Sequence, residues 1–341
     1  MKKIGFLGKI ILWVNILVVV LLAISFITPY IAPRTFPTLS LLSLAVSPLL
    51  LLNLLFAAYW LIRLRKQILW SLFVLIVAYF HFNSTYEFSS EGDPSEYTQT
   101  LKVLSYNVRL FNAYEKNPTT DASELISEVL QEQDPDVICI QEYYKGSDMD
   151  FSAYPYRFIH FKNDKVHLGH AIFSKYPIHG RGGFEFKRSG NNAIYVNVVK
   201  GEDTLRVYNV HLQSLGIEPS VDYLQDGDKE RLRQRMAGAF IKQQGQMEAV
   251  VTHKEASPHP VILCGDLNNT SFSFVYRKIK KGMTDAFEAR GGGLGATFSF
   301  DSYPMRIDYI FTSTKMDVIT FETIKKTFSD HYPISATLGW H

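Results

Sequence analysis

Three features of the sequence predict an α/β body behind an apolar N-terminal region. From residue 101 onward, short apolar runs of strand length are interleaved with helix-periodic segments, as expected for sheets covered by helices. Polar residues capable of chemistry gather at the ends of those strand runs. Residues 1–83 contain long uncharged stretches and no acidic side chain.

The apolar region comes first. Residues 10–31 and 35–62 are free of charge, and each exceeds the roughly 20 residues that cross a bilayer as helix. A third run, Ile68–Phe82, is near the minimum length and carries Trp70 and Tyr79, suited to membrane interfaces. The expectation is a membrane domain over residues 1–83 with three transmembrane helices at 10–31, 39–62 and 68–82. A cleaved signal peptide fits less well, because no small-residue cleavage site follows and further apolar runs do. Lys2, Lys3 and Lys9 precede the first run, and Arg63, Arg65 and Lys66 separate the second from the third, with only Arg34 between the first two. The positive-inside rule keeps both basic clusters in the cytoplasm. Three crossings then predict a multi-pass protein of the cell (inner) membrane with everything after residue 83 outside. Two crossings would leave it inside.

Charge separates the two regions. Of 35 basic residues seven lie in 1–83, so residues 84–341 hold 28 against 33 acidic ones, a net of −5. The body therefore lacks the basic excess that favours polyanions, which weakens a nucleic-acid partner without excluding one. Cys139 and Cys264 each lie in an apolar run and read as small core residues, with a disulfide left open.

The remaining elements follow in order. Residues 84–100 are polar and acidic, a linker by composition. Leu101–Val108 alternates as a strand. Asp121 caps a helix whose apolar positions are Ala122, Leu125, Ile126, Val129 and Leu130. Strands are expected at Val137–Ile140, Ala171–Phe173, Ala193–Val199, Leu205–Val210, Val261–Cys264, Ile307–Phe311 and Ile334–Leu338, with a glycine-rich loop at 180–192. A second helix should run from about Lys229 to His253.

Six short signals sit at strand ends: Ser-Tyr-Asn107, Ile-Gln-Glu142, Tyr-Asn-Val-His211, Gly-Asp266-Leu-Asn268, Arg-Ile-Asp308-Tyr and Ser-Asp330-His331-Tyr-Pro. Singly, each has an ordinary explanation as a turn, a cap, a surface acid or a satisfied core histidine. In Gly-Asp266-Leu-Asn268, the two-residue spacing at a strand exit turns a carboxylate and an amide the same way. Together the six fit one chemistry.

In this order the signals resemble the endonuclease/exonuclease/phosphatase superfamily, which includes pancreatic-type deoxyribonucleases, abasic-site endonucleases, neutral sphingomyelinases and inositol polyphosphate 5-phosphatases. Gly169-His-Ala-Ile-Phe-Ser-Lys-Tyr-Pro177 is similar to a further family stretch, and the resemblance covers about residues 100–341. It implies a four-layer α/β/β/α sandwich of two mixed sheets over 101–341. It also implies Mg²⁺ (Mn²⁺ as alternative) on Glu142, with Asn107 and Asp330 close to the metal.

Hydrolysing a phosphate ester needs charge neutralisation, an activated water and a stabilised leaving oxygen. Asp266 is suited to orient or deprotonate the water, and Asn268 to donate to a phosphate oxygen alongside Asn107. Asp308 can hold one nitrogen of His331 so that the other faces the phosphate. His211 would donate to a non-bridging or leaving oxygen, and its presence resembles deoxyribonuclease- and sphingomyelinase-like members more than abasic-site enzymes. Gly291–Phe298 either lines the pocket or is a flexible loop. The expected function is a membrane-anchored, metal-dependent phosphoric ester hydrolase acting on a small or lipid-borne ester, with the bilayer as partner. A nuclease is the alternative, and an inactive tethered binding module the second.

Overall fold

The computed structural model describes residues 5–341 except 83–85, 89, 116–120, 163–166, 218–219 and 302. Three helices open the chain: α1 (Phe6–Ser25), α2 (Leu42–Ile62) and α3 (Ile68–His81). Helix α1 starts before the uncharged run, taking in Lys9, and gives way at Pro29 to a 3₁₀ turn, Thr28–Tyr30. Residues 6–30 and 37–62 are long and apolar enough to cross a bilayer. Helix α3 has 14 residues. At ~1.5 Å per residue it spans about 21 Å, short of the ~30 Å hydrocarbon core.

The three helices bury Asn15, Asn53 and Ser71 beside an apolar seam of Val18, Leu22, Val46, Leu49 and Val74, and leave many other apolar residues exposed. Asn15 donates to Ser71 Oγ at 2.7 Å and accepts from Trp60 Nε1 at 2.9 Å, tying all three helices together. Trp13, Leu54, Leu55, Phe73 and Phe80 face outward. The bundle is docked on the rest of the chain. Thr28 Oγ1 donates to Phe272 O at 3.2 Å, Thr270 Oγ1 to Ser43 O at 2.7 Å, and Phe82 packs edge-on against Phe272.

The body is built from two six-stranded sheets. The first contains β1 (Gln99–Asn107), β2 (Val137–Tyr144), β3 (Tyr156–Phe161) and β4 (Leu168–Ser174), reached through α4 (Ala122–Gln133). The second contains β5 (Ile178–Phe184), β6 (Ala193–Lys200) and β7 (Asp203–His211). After α5 (Val221–Asp226) and α6 (Lys229–Glu255) it adds β8 (Val261–Asp266). Helix α7 (Phe274–Lys280), strand β9 (Met283–Asp285) and helix α8 (Ala286–Arg290) lead to the hairpin β10 (Phe298–Phe300) and β11 (Tyr303–Met305). Strand β12 (Asp308–Ser313) completes the second sheet, and β13 (Asp317–Thr323) and β14 (Ile334–Trp340) complete the first. The orders are β13-β14-β1-β2-β4-β3 and β5-β6-β7-β8-β12-β9.

Layering follows from side-chain alternation. Leu101, Val103, Val137 and Cys139 meet Val196, Val207, Ile262 and Cys264 between the sheets. Leu104, Ile138 and Phe173 pack outward against Ile126 and Val129 of α4. Tyr208, Leu263 and Phe311 do the same against Met247 and Val250 of α6. Burying each such side chain is worth about 1.5–3 kcal/mol. Asp121 caps α4 by accepting from Ser123 N and Glu124 N, about 1 kcal/mol of helix stability. Both cysteines are free and buried, so no disulfide forms.

One expectation is corrected. Residues 180–184, expected at the start of a glycine-rich loop, belong to an edge strand, Ile178–Phe184, paired with β6 among the described residues. Its glycines hide the apolar alternation that marks a strand, and a Cβ at Gly182 would meet the end of the Tyr195 ring at 2.6 Å, so a larger residue there would push that ring aside. The polar stretch before the body carries local structure. Glu87 bridges Gly293, Pro94–Glu96 is a 3₁₀ turn, and Gln99 and Thr100 already belong to β1.

Candidate active site

Strand direction brings the six signals to one end. The parallel pairs β1–β2 and β7–β8 contribute their C-terminal ends: Asn107, Glu142, His211 and Asp266. Strand β12 runs antiparallel to β8 and β14 antiparallel to β1, so these contribute their beginnings, Asp308 and the nearby His331. Register places His211 beside Asp266, and Asp266 beside Asp308. Ligand sites outside the carboxyl ends of parallel strands are the rule for open α/β sheets.

Local backbone irregularities aim the side chains. A bulge between Ile140 and Tyr143 leaves Glu142 at φ 55°, a left-handed conformation that turns its carboxylate out of the sheet's alternation. Gly265 has φ 137°, and a Cβ there would lie 1.9 Å from Val210 O, so only glycine lets β8 approach β7 just before Asp266.

Asp266 is the centre of the cluster. Its Oδ1 accepts from Asn268 N at 2.6 Å, and its Oδ2 accepts from Asn107 Nδ2 at 3.1 Å and Asn268 Nδ2 at 3.2 Å. His211 Nε2 lies 3.5 Å from the same Oδ2 and 3.9 Å from Glu142 Oε1. His331 places Nδ1 2.9 Å from Asp308 Oδ2 and Nε2 3.8 Å from Asp266 Oδ2. Asn268 spends its other amide hydrogen on Leu212 O at 3.0 Å, so it orients Asp266 from behind. Asp330 stands at the exposed rim, its Oδ1 3.1 Å from Ser329 Oγ.

Electrostatics divide the groups. Burial pushes the Asp266 carboxyl up to about 8, with the Asp308 charge adding and His331 opposing. Burial works against a charged His331, but Asp308 and Asp266 outweigh it and hold the imidazolium to about 10. Burial lowers His211 well below its ordinary value, with His170 and His331 adding, so His211 is neutral. Glu142 is raised, chiefly by burial, with His331 opposing and Asp330 adding. The cluster thus concentrates Glu142, Asp266, Asp308 and Asp330 around one imidazolium. Asp266, Asp308 and His331 offer donor atoms within 4.8 Å of one another. Carboxylate oxygens so gathered, which a cation would draw back to their charged form, suit a divalent ion such as Mg²⁺ or Mn²⁺.

Supporting residues escaped the sequence reading. Asn209 donates across the sandwich to Ile140 O and Ala171 O and accepts from Gln141 Nε2 at 2.7 Å, locking the two sheets beneath the site. Thr297 Oγ1 accepts from Asp308 N, and Ser329 Oγ donates to Asn107 O. Phe298 packs on the His331 ring at 4.9 Å, so this part of the 291–298 stretch covers the site. His170, buried and held neutral, lies 5.8 Å from the His211 ring. The period-two relation of Asn209 to His211 was a usable signal. Thr297 and Ser329 had none, because their roles depend on contacts made by chain reversal.

Residues 104–331 match the model of the endonuclease/exonuclease/phosphatase family, and residues 8–85 match one described as a domain of unknown function (DUF8431). No curated protein matches the chain. Similar solved structures include an endonuclease/exonuclease/phosphatase from Beutenbergia cavernae, 18% identical with a TM-score of 0.53, covering 71% of this chain and 72% of that one. A family protein from Bacteroides thetaiotaomicron is 20% identical (TM-score 0.52), covering 71% and 98%. TDP2 of D. rerio, solved with a single-strand DNA product, is 17% identical (TM-score 0.54), covering 71% and 99%.

Proposed function

The chain belongs to the endonuclease/exonuclease/phosphatase family, and on that premise we propose that it is a membrane-anchored, metal-dependent hydrolase of phosphate esters. The observation that carries this reading is the convergence of Asp266, His331 and Asp308, with His211 and Glu142 beside them, at one sheet end.

Glu142, with Asn107 and Asp330, is the set we assign to Mg²⁺ or Mn²⁺. When bound, the ion supplies charge neutralisation at phosphorus and a lowered water pKa. Asp266 orients the attacking water and takes its proton, a role suited to a carboxylate whose proton affinity burial has raised. Asn268 and Asn107 fix Asp266 in place, and Asn107 also donates towards substrate. Asp308 holds Nδ1 of His331, leaving Nε2–H to meet a phosphate oxygen. Neutral His211 donates through Nε2 to the non-bridging or leaving oxygen.

We assign residues 1–83 to the anchor, 84–100 to the join and 101–341 to the catalytic body. The end of α1, the start of α2 and the end of α3 all touch the body, through Thr28, Ser43 and Phe82. This arrangement puts the turn holding Arg63, Arg65 and Lys66 on the far side, which supports three crossings and an extracytoplasmic body. The short α3 is offset by its docking on Phe272.

A nuclease reading draws on the D. rerio TDP2 structure with its DNA product. The net −5 of residues 84–341 and the docked apolar helices favour a lipid-borne or small ester instead. The purified full chain, assayed with Mg²⁺ and with EDTA against phospholipids, inositol phosphates and single-stranded DNA, should cleave the first class in a metal-dependent way. Cleavage of DNA alone would establish the nuclease. Turnover of nothing in the panel, with the fold intact, would leave the binding-module reading standing. A phosphatase reporter fused after residue 100 should be active only if that point lies outside the cytoplasm.

A further inference from the structure

The segment Arg277-Lys-Ile-Lys-Lys281 carries four cations in five residues, within a body whose net charge is −5. It forms the end of α7 and the turn after it. All four basic residues line one cavity of about 540 Å³ between the bundle and the body. Its other walls include Tyr30, in the 3₁₀ turn after α1, and His81, the last residue of α3. Glu288 is the one acidic residue among the described lining, and Lys280 pairs with it. Arg277, Lys278 and Lys281 form no ion pair among the described residues, and Arg277 and Lys281 are exposed.

The fold itself gains nothing from this crowding. Residues three and four apart on a helix are neighbours, so Arg277 stands beside Lys280 and Lys281, and like charges so placed repel. The ordinary use of basic residues at a helix end, satisfying its last carbonyls, is already served from elsewhere. Lys254 of α6, 8% exposed, donates Nζ to Ile279 O at 3.3 Å and to Lys281 O at 3.1 Å. Aromatic rings steer two of the cations: Arg277 stands 4.3 Å over Tyr30, and Lys278 5.2 Å over Phe274. Accessible cations gathered in one cavity, with no acid left for them, draw an anion from outside the chain.

Position selects the kind of anion. Tyr30 and His81 end the apolar helices on the side that meets the body, so the cavity lies at the depth of the lipid headgroups, where tyrosine is favoured. We propose that this cavity receives the phosphate of an anionic membrane lipid, held by Arg277, Lys278 and Lys281. Phosphate oxygens are the acceptors that such donors pair with most strongly, and clustered Lys and Arg beside a bilayer gather anionic lipid. The inference rests on residues 1–83 lying in the bilayer, and not on what the metal centre hydrolyses.

The test uses the full chain in phosphatidylcholine nanodiscs, in EDTA so that no lipid is consumed. Two probes carry a diazirine on the headgroup, one an anionic phosphatidylglycerol and the other a zwitterionic phosphatidylcholine. The anionic probe should label Tyr30 and residues 274–281 about tenfold more than the zwitterionic one, since each cation at an anionic surface is worth about fivefold. Arg277→Gln should cut that labelling about fivefold, and Arg277→Gln with Lys281→Gln further. Arg277→Lys with Lys281→Arg should keep it. Equal labelling by the two probes, or unchanged labelling in the double glutamine variant, overturns the proposal. Millimolar glycerol phosphate should leave labelling as it is; displacement by it would reveal a site for soluble phosphate and overturn the lipid assignment. A phosphatidylcholine with the diazirine on its acyl chain should mark Leu17 and Leu55 in every variant, and so reports anchoring and fold separately. Marking there without headgroup preference at residues 274–281 overturns the site alone. Marking at neither overturns the anchor and the site together.

Discussion

The helical bundle and the α/β sandwich bury polar groups in opposite ways. In the bundle, the polar side chains that turn inward are neutral: Asn15, Ser71 and Trp60 satisfy one another beside buried Leu22, Val46 and Val74, while other leucines and aromatics cover the outside. In the sandwich, leucine, isoleucine and valine fill the inside, and the buried polar groups include ions such as Arg306, Asp285, Asp308 and His331. The difference reflects what each part faces. A helix whose apolar residues face outward suits lipid, where association rests on packing and hydrogen bonds between helices. A sandwich in water gains from hiding its apolar surface, and can bury charge only where each ion is paired.

The largest effect should come from an ion of the sandwich. Arg306→Met leaves Asp285, 1% exposed, without its partner, and losing one member of a buried pair costs about 3–5 kcal/mol. Denaturant unfolding of the full chain in detergent measures this. A loss under about 1 kcal/mol would mean that water reaches the pair.

Next in size are the reacting groups. Asp266→Asn and His331→Ala should each lower hydrolysis at least roughly a hundredfold. Both side chains are buried, so turnover is compared under conditions where circular dichroism shows each variant folded. Near-normal turnover by either would remove the role assigned to it.

The bundle should yield a smaller change. Asn15→Ala deprives Trp60 Nε1 and Ser71 Oγ of their partner, and hydrogen bonds between helices in lipid average about 0.6–2 kcal/mol. A loss as large as that for Arg306→Met would show that the two regions do not differ as described.

The smallest effect is a slope. Both His331 and Asp266 have folded values raised above their unfolded ones, to about 10 and about 8. Stability held by the His331 proton is complete below about pH 6.5 and lost as pH rises through about 10. Ionising Asp266 likewise costs stability on the way up to about pH 8. Metal-free protein should therefore melt at lower temperature at pH 10 than at pH 7. Added Mg²⁺ should raise the melting temperature more at the higher pH, because its carboxylate ligands must shed protons to bind it. A rise in metal-free stability with pH would contradict both shifts.

Much was legible locally. Runs such as Val137–Ile140 and Val261–Cys264 mark buried strands because a strand covered on both faces needs no polar alternation. Asp121 marks a helix start because its carboxylate accepts the first free N–H groups. The uncharged runs mark apolar helices by length alone. The strand-end motifs picked out residues that cluster, although Asn107, His211, Asp266, Asp308 and His331 are all buried, because polar side chains that interrupt apolar strand runs need one another as partners. What stayed hidden depends on distant partners. Edge strand β5 is held by β6 and by Tyr195 over Gly182, not by its own glycines. The rise of His331 comes from Asp308 and Asp266, 23 and 65 positions away in sequence, and the fall of His211 comes chiefly from burial, with His170 and His331, 41 and 120 positions away, adding. That Arg306 pairs with Asp285, 21 positions away, and that the end of α3 packs on the body through Phe82 and Phe272, was settled only when the chain closed on itself.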